Sequence, residues 1–276
     1  NSALNALTRL GYPGGWVIRY IEENPELSER AIGTSVDPNS LGGLLLMIGA
    51  LIGPQVVTRQ PLFRRPLVLL IAGLVIVALI LTFSRGAMLG LAAGLGFVAL
   101  TRYRRLLPWL ALAALLLLVL PITQGYIARF VEGFQGADLA TQMRFGEYKD
   151  ALILIGRYPI FGVGFAGTPD IDVYLAVASV YFTIAGRMGL LGLLGFFTIM
   201  AVVFGYAHRH RHALRADERR DAVWLGLHAA LVGALVAGVF DHYLFNMDFP
   251  HAVTIFWMVL GLAVAGTRLG ATTETR

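Results

Sequence analysis

The sequence contains no cysteine, and only 14% of its 276 residues are charged. Without cysteine the chain can form no disulfide, no thiolate nucleophile and no cysteine-ligated metal site. The hydrophobic fraction is 57%, whereas the apolar share of soluble domains is roughly 45–50%. Because the apolar residues form runs that approach the ~20 residues needed to cross a bilayer, the composition predicts an all-α protein, a polytopic helix bundle in a membrane.

Seven apolar stretches are candidate membrane spans, and since the first is short, we expect six or seven transmembrane helices. The chain begins at Asn1 in a loop-like stretch, which leads us to expect a fragment of a longer protein. The candidate spans cover about residues 41–57, 66–83, 87–100, 106–122, 188–207, 223–240 and 250–266.

The orientation follows from the arginines, because short cytoplasmic loops retain positive residues. Loops 59–65, 102–105 and 208–220 are rich in arginine and alternate correctly along the chain, so we assign them to the cytoplasm. The net charge of +5 therefore reflects topology, and we expect no nucleic-acid partner. The single membrane domain, 1–276, then comprises an outer segment (1–39), four spans (41–122), a large outer loop (123–187), three spans (188–266) and a cytoplasmic tail (267–276).

Arg85 differs from the other arginines in its position. It lies at the outer end of a membrane hairpin, on the predicted outer face that also holds residues 241–248. The positive-inside rule gives no reason for a cation there. One interpretation is that its side chain reaches the lipid headgroups. The other is an anion site, since a guanidinium binds phosphate through two parallel hydrogen bonds.

The segment around Arg85, Thr82-Phe83-Ser84-Arg85-Gly86-Ala87, resembles the Ser-Arg-Gly element of the O-antigen ligase and O-antigen polymerase superfamily, which are bacterial membrane glycosyltransferases acting on lipid-linked glycans. Four further segments match the family in the expected order: residues 33–40, 144–152, 158–164 and 181–192.

The resemblance implies transfer of a glycan from an undecaprenyl-diphosphate donor to an acceptor hydroxyl of a glycan, lipid or protein. It places the protein in the bacterial cytoplasmic (inner) membrane, with its active face outside, in the assembly of lipopolysaccharide or other surface polysaccharide, and implies neither a metal nor another cofactor. The donor's diphosphate would contact Arg85 and Arg144. Arg187 is a third candidate, although it could instead pair with an aspartate or anchor the start of a span.

One departure from the family concerns the catalytic base. Members usually carry a His-Asn pair three and two residues before the tyrosine that corresponds to Tyr181, and a glutamate near Arg187. Here the first two places hold Ala178 and Ser179. Either another group of the outer face replaces the histidine, with Asp170, Asp172, Asp241 and His242 as the candidates, or the reaction needs no strong base, or the protein is a non-catalytic membrane subunit that binds lipid-linked glycan. A transporter is a separate alternative function.

Two further patterns are explained by their setting. Residues 162–167 fit the letters of a dinucleotide-binding fingerprint, but no strand–helix–strand unit surrounds them, so we expect a turn. The alternating histidines and arginines of residues 208–212 resemble a metal-binding tract. Because the arginines repel cations and the segment is predicted to be cytoplasmic, we assign it to topology.

Overall fold

The computed structural model describes residues 30–35, 37–119, 139–165, 177–212, 215, 217–245 and 250–274. Regular structure in these residues is entirely helical, which confirms the predicted all-α class. This part of the chain includes two short 3-10 turns, Gly33–Ser35 and Arg104–Leu106. The α-helices are α1 (Pro38–Val57), α2 (Arg65–Leu81), α3 (Arg85–Thr101), α4 (Leu107–Val119), α5 (Leu139–Arg157), α6 (Val180–His210), α7 (Glu218–Ala237) and α8 (Pro250–Glu274).

Within the described residues, four helices are long and apolar enough to cross a membrane, namely α1, α6, α7 and residues Pro250–Gly270 of α8. Helices α2 and α3 are apolar but shorter. The protein is therefore multi-pass. The predicted number of six or seven spans, the outer position of residues 123–187 and the remaining divisions of the domain stay predictions.

Aspartate caps begin two of the core helices. Asp37 precedes α1, and its carboxylate accepts a hydrogen bond from the backbone N–H of Ser40 at 2.7 Å. Asp217 precedes α7 and accepts from the N–H groups of Arg219 and Arg220 at 3.0 and 3.2 Å. Each cap satisfies N–H groups that have no partner within the helix, which explains why the helices begin at these residues.

Helix α7 forms the centre of the bundle, where it packs closely against α1 and α3 through small residues. A Cβ atom added to Gly90 of α3 would lie 2.6 Å from the carbonyl oxygen of Gly233 in α7, and one on Gly94 would lie 2.6 Å from that of Ala229. Such approach is available only to glycine and allows backbones to pack tightly in lipid. The glycine-rich composition of α3 is thereby explained.

Helix α6 is interrupted at Gly189, whose φ of 70° and ψ of −176° are not helical. The rings of Tyr181 and Phe197 nevertheless stack, with centroids 5.5 Å apart. A straight helix would separate these two residues by about 24 Å. The helix therefore folds back at Gly189, with one arm over residues 180–188 and a second over residues 190–210. The second arm corresponds to the span predicted from residue 188.

The loop after α5 fills this break. Val163 and Gly164 donate backbone hydrogen bonds to the carbonyls of Gly186 and Arg187 at 2.9 and 2.8 Å. Gly162 has a φ of 66°, and a Cβ atom on it would lie 2.5 Å from the carbonyl oxygen of Gly186. Gly162 and Gly164 thus allow the loop to pack against the break in α6. The described residues around them contain no strand that a dinucleotide site would need.

Candidate functional site

Several elements meet at one end of the bundle, which we call the His242 end. It comprises the starts of α1 and α3, residues 144–148 of α5, residues 177–180 before and at the start of α6, and the turn 238–243 after α7. The contacts between them are direct. A Cβ atom on Gly42 would lie 2.9 Å from the Cβ of Ser84, and one on Gly86 would lie 3.1 Å from the Cβ of Phe240. The backbone N–H of Val180 donates to the carbonyls of Gly238 and Asp241 at 2.8 and 3.0 Å.

Arg85 is the first residue of α3, and it is half-buried. The turn before it is unusual because Phe83 has a φ of 52°, a left-handed conformation that a bulky residue rarely adopts. Thr82 supports the turn: its hydroxyl donates to the carbonyl of Leu79 at 2.6 Å and accepts from the N–H of Ser84 at 3.2 Å. This geometry fixes the direction in which α3 and Arg85 leave the turn.

Arg30 also lies at this end, and sequence reasoning missed it. Its Nε donates to the carbonyl of Thr82 at 2.8 Å, and its Nη2 donates to Oδ1 of Asn39 at 2.9 Å. The guanidinium therefore ties the segment before α1 to the turn that carries Arg85. The available signal in the sequence was the position of this arginine, three residues before the family-like segment 33–40.

Helix α5 is clamped to the segment that contains Ala178. The carboxylate of Glu147 accepts a hydrogen bond from the N–H of Ala178 at 2.9 Å. The phenol of Tyr148 lies 3.1 Å from the carbonyl of Ala178 and 3.4 Å from that of Val239. Arg144 lies three and four residues before this pair, hence on the same helix face. These hydrogen bonds of Glu147 and Tyr148 therefore fix the position of Arg144 on the same helix.

Asp241 and His242 form a pair in the turn after α7. Oδ1 of Asp241 accepts from the backbone N–H of His242 at 2.9 Å and lies 3.2 Å from the Nδ1 of its ring. Burial lowers the pKa of His242, but Asp241, together with the charges of Asp37 and Glu147, outweighs this effect, so the pKa is raised. The ring is therefore suited to accept a proton.

Glu147 shares this electrostatic environment. Burial raises its pKa, while the hydrogen bond from Ala178 and the charges of His242 and Arg144 partly offset that rise. The nearby carboxylate of Asp241 acts in the opposite direction. Carboxylates from three elements and an arginine thus act on one another around a single imidazole.

The predicted site residues fall into three groups. Asp170 and Asp172 lie outside the described residues. Asp241 and His242 lie together at the same end of the bundle as Arg85 and Arg144, whereas Arg187 lies on the first arm of α6, with its guanidinium 5.5 Å from the centre of the Phe165 ring. All of their roles stay predictions. Sequence reasoning did not place Asp37 or Glu147 beside His242, because this proximity depends on the tertiary fold.

Metal ligands can be assessed only in the described part of the chain. There, no group of three or more His, Asp or Glu side chains is arranged to hold a metal ion. The described site instead combines arginines and carboxylates with His242, and His251 lies 3.0 Å from the hydroxyl of Ser40 at the start of α1. Groups of these kinds can bind an anion and transfer a proton.

The fold defines a multi-pass helical membrane protein, and one end of its bundle gathers arginines, carboxylates and His242. A family model described as O-antigen ligase matches residues 70–197. The match supports assignment of the chain to the O-antigen ligase and polymerase superfamily, which confirms the resemblance carried by the sequence motifs. No curated protein sequence matches the chain. The matched residues include Arg85, Arg144 and Ala178, but they end before Asp241 and His242.

Proposed function

We propose that this protein transfers or polymerises a glycan from an undecaprenyl-diphosphate donor onto an acceptor hydroxyl during surface polysaccharide assembly. The reaction takes place at the outer face of the bacterial inner membrane. One observation carries the proposal: Arg85, Arg144 and the Asp241–His242 pair share one end of the bundle, in a chain that matches the O-antigen ligase family. The acceptor can be a glycan, a lipid or a protein.

The donor's diphosphate is bound by Arg85 and Arg144. Arg85 begins α3, where the positive end of the helix dipole adds to the charge of the guanidinium. As the bond to the sugar breaks, negative charge grows on the diphosphate, and two fixed cations stabilise it more strongly than mobile water would. Arg187, on the first arm of α6, is a third cation for the donor.

His242 acts as the base in place of the missing histidine. Asp241 holds Nδ1–H, so the lone pair resides on Nε2. Nε2 removes the proton of the acceptor hydroxyl as the hydroxyl oxygen bonds to the anomeric carbon of the donor sugar. The bond from that carbon to the diphosphate oxygen breaks, and its electron pair leaves with the diphosphate. A general base of this kind contributes about 10²–10⁴-fold to a rate.

A second function is favoured by one observation, the presence of Ala178 where the family has its histidine. In this alternative the protein is a subunit that binds the lipid-linked diphosphate without transferring its glycan. The arginines would then keep their role, while His242 would have none in catalysis.

The test uses cells that depend on this protein for a surface glycan. Arg85→Ala and Arg144→Ala, made separately, should each reduce surface glycan by about 10²-fold or more, because each removes a charge that acts in the transition state. Arg157→Ala is the matched control, since Arg157 lies on α5 with Arg144 but at its exposed far end. Immunoblots of membranes establish that all variants accumulate.

The outcomes separate the two functions. Full activity of both arginine variants contradicts a diphosphate site. Purified protein that binds radiolabelled lipid-linked glycan but never transfers it, even with acceptor in excess, supports the non-catalytic subunit. Transfer that depends on both arginines supports the enzyme.

A further inference from the structure

Glu147 reaches the place where the family's histidine is absent. Its carboxylate accepts a hydrogen bond from the backbone of Ala178, the residue that occupies the histidine's position. Glu147 itself is half-buried on α5. The site therefore contains a carboxylate next to the position that holds a histidine in the family, and an imidazole, that of His242, on the neighbouring turn.

Tyr148 holds Glu147 beside that turn. Its phenol lies within hydrogen-bonding distance of Ala178 on one side and of Val239 on the other, at 3.1 and 3.4 Å. Val239 is only three residues before His242. Because two adjacent side chains of one helix bond to backbone groups of residues 178 and 239, they fix the position of the Glu147 carboxylate relative to the turn that carries His242.

The charged groups around His242 come from three elements. Asp241 lies in its own turn, Asp37 begins α1, and Glu147 lies on α5. Arg144 is the cation of α5 that acts on Glu147. Asp37 caps α1, and Asp241 orients the ring and the backbone of His242. Glu147 acts on His242 through its charge and accepts a hydrogen bond from the backbone N–H of Ala178.

We propose that Glu147 is a positioning residue for His242, whose negative charge stabilises the imidazolium formed when His242 takes the proton of the acceptor hydroxyl. This inference rests on the proposed function. The chemistry is that of a carboxylate beside a histidine base: it does not take the proton, but it lowers the energy of the ring once the ring is charged. The raised pKa of His242 agrees with such a role.

The experiment compares Glu147→Gln with Glu147→Ala. Glutamine keeps an oxygen that can accept from Ala178 but has no charge, while alanine loses both. Asp150→Asn, on the same helix, is the matched control for the loss of one carboxylate. Two quantities are measured between pH 5 and 9: the rate of glycan transfer by purified protein, and the carbethoxylation of His242 by diethyl pyrocarbonate, followed by mass spectrometry.

Removing the negative charge disfavours the imidazolium, so the midpoint of the His242 titration should move to lower pH. We expect a shift of about 0.5–1 pH unit in Glu147→Gln, both in the modification curve and in the acid limb of the transfer rate. The rate on the plateau should fall by about 3–10-fold. Asp150→Asn should leave both curves unchanged.

An unchanged midpoint and plateau in Glu147→Gln would overturn the inference. A defect confined to Glu147→Ala would also overturn it, because it would show that Glu147 only holds the backbone. The modification curve needs no turnover. If wild-type protein transfers no glycan while the His242 midpoint still moves in Glu147→Gln, the proposed function fails and the electrostatic coupling of Glu147 to His242 stands.

Discussion

The two ends of the bundle use carboxylates in different ways. At the opposite end, which we call the Asp221 end, Asp221 is almost completely buried and binds the Nε of Arg102 at 2.8 Å. Glu218 accepts from the hydroxyl of Thr58 at 3.2 Å and from the N–H of Arg59 at 2.8 Å. These residues tie α7 to α3 and to the loop after α1.

At the His242 end the carboxylates bind backbone N–H groups and an imidazole. Asp37 caps α1, Glu147 holds Ala178, and Asp241 binds His242. An aspartate–arginine pair joins two elements, whereas an imidazole among carboxylates is a group that can change its protonation near neutral pH. The carboxylates of the Asp221 end therefore hold helices together, while those of the His242 end also surround a titratable ring.

The largest effect should come from His242→Gln, which removes the proposed base. We expect transfer to fall by about 10²–10⁴-fold with normal accumulation of the protein, because glutamine cannot take a proton. The measurement is glycan transfer by purified protein, normalised to its amount. His208→Gln is the control, since His208 is an exposed histidine in the last turn of α6. Equal losses in the two variants would mean that the histidine at position 242 has no special role.

Gly90→Val should act on the core between the two ends. Its Cβ would lie 2.6 Å from the carbonyl oxygen of Gly233, so α3 and α7 must separate. We expect a loss of stability of about 1–3 kcal/mol or more, seen as lower accumulation and a lower Tm in detergent. Gly96→Val, on the same helix with open space around it, is the matched control. A normal Tm for Gly90→Val would show that the two helices do not pack as described.

Asp221→Ala should break the ion pair of the Asp221 end and leave Arg102 without its carboxylate partner. Because the Arg102 side chain is 35% exposed, water compensates in part, and we expect a cost of about 1–3 kcal/mol. The Tm should fall, while the transfer rate per folded molecule should stay near that of the wild type. A selective loss of transfer at unchanged Tm would mean that the Asp221 end also takes part in the reaction.

Much of the fold was accessible from the sequence, because long apolar runs leave few alternatives to helices in a membrane. The stretches predicted at 41–57, 66–83 and 87–100 correspond to α1, α2 and α3 within a few residues. The fold-back of α6 was not predicted. It depends on the left-handed φ of Gly189 and on the loop that fills the break, and neither leaves a mark on the hydropathy pattern.

The site was predictable only in part, for a related reason. Family motifs drew attention to Arg85 and Arg144 and to the missing histidine at Ala178, and the predicted topology drew attention to Asp241 and His242. Glu147 belonged to a matching segment, but its role as a neighbour of His242 arises from contacts between α5, residues 177–179 and the turn after α7. Contacts between segments distant in sequence have no signature in a single sequence.

The smallest and sharpest prediction concerns the pH dependence of the His242 end. As His242 must be neutral to act as a base, the transfer rate should rise with pH through its pKa, which is raised above the usual value of about 6.5. In Asp241→Asn the ring loses its charged partner while its burial remains, so the pKa falls and the acid limb should move to lower pH by about 1 unit. The measurement is the transfer rate between pH 5 and 9. Asp221→Asn removes a carboxylate from the Asp221 end and should leave the acid limb in place. If the limb moved equally in both variants, the two ends would not differ in their effect on His242.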